Sequence, residues 1–194
     1  MKRRYERRKL TNVGNAPLDL TGTTLAQVPW NASSTLAFAA AAVGSMAQWW
    51  IYFDRGAEHA AQVIGRSANP GETARSAYSF IHILIIAGII VCAVADEVVL
   101  MHPGHATPAA VAVLLGGPAL FLLGTALFKW VVYDRKWPPF SHTLGLVLLD
   151  ALLPAALWSE LPALGLALAA MAVQVFVLVW EAVALRSSPA ASVE

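Results

Sequence analysis

The sequence predicts an all-α fold: a polytopic transmembrane helix bundle of about five spans with no soluble domain. Three observations carry that reading. Hydrophobic residues fill 58% of the 194 positions and charged residues only 13%, about half the usual share of a soluble domain. Several apolar runs exceed about 18 residues, the length at which a membrane span becomes the economical interpretation. Those runs do not alternate polar with apolar residues, as the strands of a lipid-facing β-barrel would.

The same numbers limit function. A net charge of +1 supplies no field for nucleic acid, so no nucleic-acid partner is expected. Cys92 is the only cysteine, which excludes an intrachain disulfide; inside a span it reads as a small apolar packing residue.

Residues 1–33 form a polar, basic leader, with six Lys or Arg among the first nine positions. No apolar segment follows that cluster, so neither a cleavable signal peptide nor a twin-arginine signal is expected. The rest of the leader is rich in Gly, Pro, Thr and Asn and reads as disordered. The first span covers residues 34–53. Gly44, Gln48 and Tyr52 recur on one face at i, i+4 spacing, a pattern suited to close helix packing. Trp49, Trp50 and Tyr52 mark the headgroup level at its end. In the loop that follows, a short surface helix over 55–65 and a turn at Asn69-Pro70-Gly71 are expected.

The organising stretch is residues 77–105, AYSFIHILIIAGIIVCAVADEVVLMHPGH. Its second span, 77–100, bears His82 near the start and Asp96-Glu97 near the end, and His102-Pro103-Gly104 stops the helix. A third span covers 109–133. Gly116-Gly117-Pro118 is expected to break or kink it, and Lys129 to snorkel to the interface beside Trp130 and Tyr133. The fourth, 142–158, carries Asp150 at its centre and Pro154 one turn on. A central Asp costs roughly 3 kcal/mol on the insertion scale, while eight Leu and Val return roughly 0.5 kcal/mol each, so the span inserts marginally. The fifth, 162–185, has Gln174 and Glu181 one heptad apart, and 186–194 form a disordered tail.

Arg55, Arg66, Arg75, Lys129, Arg135, Lys136 and Arg186 all fall at one end of these spans, whereas loops 101–108 and 159–161 hold no Lys or Arg. The positive-inside rule therefore puts the long loops and the C-terminus inside.

Three stretches together, WWIYFDR (49–55), ARSAYSFIHILIIAGIIVCAVADEVVLMHP (74–103) and GGPALFLLGTALFKW (116–130), resemble the low temperature requirement A (LtrA) family of bacterial membrane proteins. The resemblance covers most of 34–133 and extends loosely, by hydrophobic pattern, over 134–185. It implies a bacterial inner-membrane protein associated with growth at low temperature, without implying a molecular activity. Members of that family carry earlier spans with a motif of the form HxxERxGLxxxxxLGE, which this chain lacks. On that ground the chain is expected to be the C-terminal part of such a protein, truncated or mis-started, behind an unrelated leader.

Ionisable groups inside a membrane are the default functional candidates because burying them is costly. His82, Asp96, Glu97, Gln48 and Asp150 are accordingly the candidates for a polar pathway. His82 and Asp96 lie fourteen residues apart, near one face and about 21 Å apart along the axis, as the two mouths of such a path would. Gln174 and Glu181 are possible contributors from the last span. The plainer alternative is that these side chains anchor helix ends at the headgroups. Asp96, Glu97, His102 and His105 make a third pattern, but their spacing matches no established metal signature, and no metal or other cofactor is expected. No GxSxG, P-loop or GxGxxG occurs, so no enzyme is read here. Two functions stand: a transporter or channel component, or a structural or assembly subunit whose faces around Gly44, Gly88 and Gly124 pack against partner spans. Expected partners are the lipid bilayer and either partner helices or a homo-oligomer.

Overall fold

The computed structural model describes residues 28–53, 65, 69–132, 137–159 and 161–187. The expected leader lies outside these residues up to position 27, as do nearly all of the expected 55–65 surface helix and the tail from 188. Every regular element among the described residues is helical: α1 (Ala32–Phe53), α2 (Pro70–Arg75), a π-helix (Ser76–Ile81), α3 (His82–Met101), α4 (Pro108–Val132), α5 (Phe140–Trp158) and α6 (Ala163–Ser187). Five helices are long and apolar enough to cross a membrane, as expected: α1, Ser79–Met101, α4, α5 and Ala163–Ala184 of α6.

Local chemistry sets the helix ends. Asn31 Oδ1 accepts from the Ser34 backbone N–H at 2.9 Å while Ser34 Oγ accepts from the Asn31 N–H at 2.9 Å, a reciprocal cap that satisfies two orphan donors of α1. Thr107 Oγ1 accepts from Ala110 N–H at 3.2 Å ahead of Pro108, which needs no donor at the first helical position. The predicted turn at Pro103-Gly104 ends α3, and the Pro103 carbonyl then accepts from Leu164 N–H at 3.1 Å, tying that turn to the start of α6. The expected turn at Asn69-Pro70-Gly71 is instead a helix start: Asn69 bends and α2 begins on Pro70. Proline suits that place for the same reason as Pro108 does.

Helix α4 is the axle of the bundle. It packs most extensively on α3, then on α5, and also reaches α6 and α1; α1 packs chiefly on α6. Of its most apolar window 61% is buried, against 28–33% for the other four spans. The helix is not interrupted at Gly116-Gly117-Pro118: α4 runs from Pro108 to Val132 with Pro118 inside it. The glycines serve close approach instead. A methyl group on Gly88 would stand 2.5 Å from the Phe121 nitrogen, one on Gly117 2.8 Å from the Cys92 nitrogen, and one on Gly124 2.9 Å from the Ile85 nitrogen. Backbone packs on backbone along the whole α3–α4 seam, as small residues allow where lipid provides no hydrophobic drive. Gly88 and Gly124 are thus spent inside the bundle and do not offer the outward faces that a partner-binding subunit would use.

Most outward positions on the spans are apolar, as lipid requires, with Asp150 an exception. Ile83, Ile86, Ile90, Val147, Leu157, Val179 and Val183 are all exposed, and so are Trp49, Trp50 and Phe53 at the end of α1. Tyr52, at the same end, turns inward, where its hydroxyl meets His82.

Candidate functional site

Polar side chains inside the bundle gather in two places. The first is a small cavity of about 40 Å³ between α1, α3, α4 and α6, with a mouth at the bundle surface. Its polar lining is Ser45 and Gln48 from α1, Cys92 and Asp96 from α3, and Gln174 from α6; alanines, Gly44 and Pro118 supply most of the rest. Small residues on α1 and α6 open this space, because Ala37, Ala40, Ala41, Gly44, Ala167 and Ala170 leave room that larger side chains would fill. Gln48 Nε2 donates to Cys92 Sγ at 3.1 Å, which orients the amide. Gln174 is buried, 4% exposed, and its Oε1 has no hydrogen-bond partner among the described residues.

One turn beyond Gln48, the Tyr52 hydroxyl and His82 Nε2 share a hydrogen bond of 2.6 Å. The imidazole packs edge-on against Phe128 as well as Tyr52. His82 is the first residue after the six-residue π-helix, an irregularity that recurs at functional sites because its wider turn resets the helix phase.

The second gathering lies at the same end of the bundle, among α4, α5 and α6. Lys129 Nζ donates to Glu181 Oε2 at 2.6 Å, and His142 Nδ1 lies 3.3 Å from Glu181 Oε1. Ser141 Oγ stands 3.2 Å from His142 Nδ1 and 3.5 Å from Glu181 Oε1. Lys129 therefore does not snorkel outward: its side chain is 12% exposed and held by a carboxylate. The carboxylate wins because the ion pair and its hydrogen bond form inside the bundle, where charge-assisted contacts are stronger than at a wet interface.

Of the five sequence candidates, Gln48 and Asp96 meet at the cavity and His82 stands beside it through Tyr52. Glu97 is half-buried on α3 but does not line the cavity. Asp150 does not join the others. It is exposed in a groove of about 500 Å³ between α4 and α5, among Ala112, Leu115, Gly116, Ala119, Leu146 and Leu153. The metal pattern fails too: His102 and His105 are exposed in the turn after α3, and no three His, Cys, Asp or Glu converge among the described residues. Sequence reasoning passed over His142, which a lone histidine at a span start does not announce, and read Cys92 as packing although it accepts from Gln48.

The profile of the family described as bacterial low temperature requirement A protein (LtrA) matches residues 14–179, so it takes in part of the leader as well as all but the last turns of the bundle. An uncharacterized protein of Rhizobium meliloti (strain 1021) is 38% identical over 104 residues, which is 53% of this chain and 25% of that protein. The chain thus matches about a quarter of that relative's length. No solved structure matches the chain.

Proposed function

The chain belongs to the bacterial low temperature requirement A family, and from that premise we propose that this integral membrane protein carries protons or small cations along a polar path through its bundle. One observation supports this above the rest. Gln48, Asp96 and Gln174, from three different helices, share one cavity within the spans, and Tyr52–His82 continues the polar line toward the end that bears the long loops. Polar groups that merely anchored helices would sit separately at helix ends; here they converge inside, where each is costly unless used. The inner membrane of a bacterial cell is the proposed location.

The test is flux in proteoliposomes, read by an entrapped pH dye and by cation uptake under an imposed gradient. Asp96→Asn and His82→Phe are expected to lower flux at least about tenfold (about 1.4 kcal/mol), and Glu97→Gln to leave it near the parent value. Equal flux in all three variants would overturn the reading.

A second reading, an assembly subunit, draws on the Asp150 groove. A carboxylate facing lipid costs roughly 3 kcal/mol, and Ala112, Gly116 and Ala119 line the same groove with small side chains that admit another helix. Crosslinking from a cysteine at position 150 to a second span in membranes tests it; labelling by lipid-phase reagents alone would refute it.

A further inference from the structure

The cavity's chemistry is narrower than "polar". Gln174 Oε1 is a buried acceptor with no donor to meet it among the described residues, an arrangement that is costly if nothing fills the space. Gln48 gives one N–H of its amide to Cys92 Sγ, which fixes the amide and leaves its carbonyl oxygen, with one further N–H, for the cavity. Asp96 adds a carboxylate and Ser45 a hydroxyl. Among the described residues, no Lys, Arg or His lines the space. The lining therefore provides hard oxygen acceptors and a single negative charge.

Hard cations take oxygen ligands, and a lone thiol already engaged by an amide makes no soft-metal site. Charge counting decides between cations. One carboxylate neutralises one monovalent ion; a divalent ion would leave a net positive charge among apolar helices, where uncompensated charge is costly. We propose that the cavity between α1, α3, α4 and α6 binds one alkali cation through the Asp96 carboxylate and the side-chain carbonyls of Gln48 and Gln174. This rests on the reading of the cavity as the functional centre, but it is a statement about binding and is tested apart from flux.

The experiment is equilibrium binding of radioactive sodium and rubidium to the full chain purified in detergent, with choline as the inert counter-cation. Saturable binding of one ion per chain is expected for at least one of the two. Asp96→Asn should weaken it at least about tenfold, and Asp150→Asn should not change it. Gln174→Glu adds a second carboxylate and should let calcium displace the bound ion at least about tenfold more effectively than in the parent, a gain that a misfolded variant cannot mimic. Absence of saturable binding, binding that survives Asp96→Asn, or unaltered calcium competition in a Gln174→Glu variant that still binds would each overturn the site. Proton flux without alkali binding refutes this site while leaving the pathway standing; binding without flux does the reverse.

Discussion

Replacing Gly88 by alanine tests the α3–α4 seam at its tightest point. The new methyl carbon would lie 2.5 Å from Phe121 N, 2.8 Å from its Cα and 2.9 Å from its Cβ. Carbon contacts settle at about 3.5–4.0 Å, so the helices must part there by about 1 Å. Rotamer change cannot relieve a clash with backbone. A gap of that size forfeits about a quarter to a half of the attraction between facing atoms, and Gly117 and Gly124 hold the same two helices close on either side, so the loss spreads along the seam. Overpacking of this kind costs about 1–3 kcal/mol, against which alanine regains about 0.5–1 kcal/mol of helix preference. The expected net loss is about 1–2 kcal/mol, read as a shifted midpoint in denaturing-detergent titration followed by helicity. Gly116→Ala is the matched control, because nothing lies within 4 Å of its new methyl group, and it should be neutral or slightly stabilising. If Gly88→Ala were as stable as Gly116→Ala, the seam would not be the contact described here.

Other perturbations separate the remaining features. Lys129→Met or Glu181→Gln alone should destabilise by about 3 kcal/mol, since each strands a partner of a largely buried ion pair, while the double variant should recover part of that loss; additive losses in the cycle would refute the pairing. Asp150→Leu should favour membrane insertion of α5 by about 3 kcal/mol in a translocon assay without lowering flux, and a loss of flux would bring Asp150 into the pathway after all. Asn31→Ala removes half of the reciprocal cap and should speed amide exchange in the first turn of α1 at a cost of about 1 kcal/mol; unchanged exchange would deny the cap its role.

The spans were legible because a bilayer demands long apolar runs, and every predicted span overlaps a helix whose ends differ from it by a few residues. What a run of apolar residues does not state is which face turns inward. On α4 both lipid-facing Leu123 and buried Leu122 satisfy the same composition, so Lys129 looked like a snorkelling residue and Gly116-Gly117-Pro118 like a break. The i, i+4 face of Gly44, Gln48 and Tyr52 was readable, since small and polar residues on one side of an apolar helix have few reasons to face lipid. Asp150 had the same signature and faces the other way, and only the packing of α5 on α4 and α6 reveals it. His142, Glu181 and Lys129 come together from three helices, a juxtaposition no single segment encodes.

The glycine seam also sorts the bundle mechanically. With backbone against backbone at Gly88, Gly117 and Gly124, α3 and α4 have no slack in which to slide and behave as one plank. Across the cavity, α1 and α6 form the opposite wall, and a methyl group on Gly44 would find only Met171, at 4.0 Å. The compliant boundary of the molecule therefore runs through the cavity itself, between a locked pair and a looser one. Paired spin labels should report narrow distance distributions across α3–α4 and broader ones from α1 to α3, with equal widths counting against this division. Any widening or narrowing of the space around Asp96 falls to the α1–α6 wall, and the stiffness of the other side is what gives that motion a fixed reference.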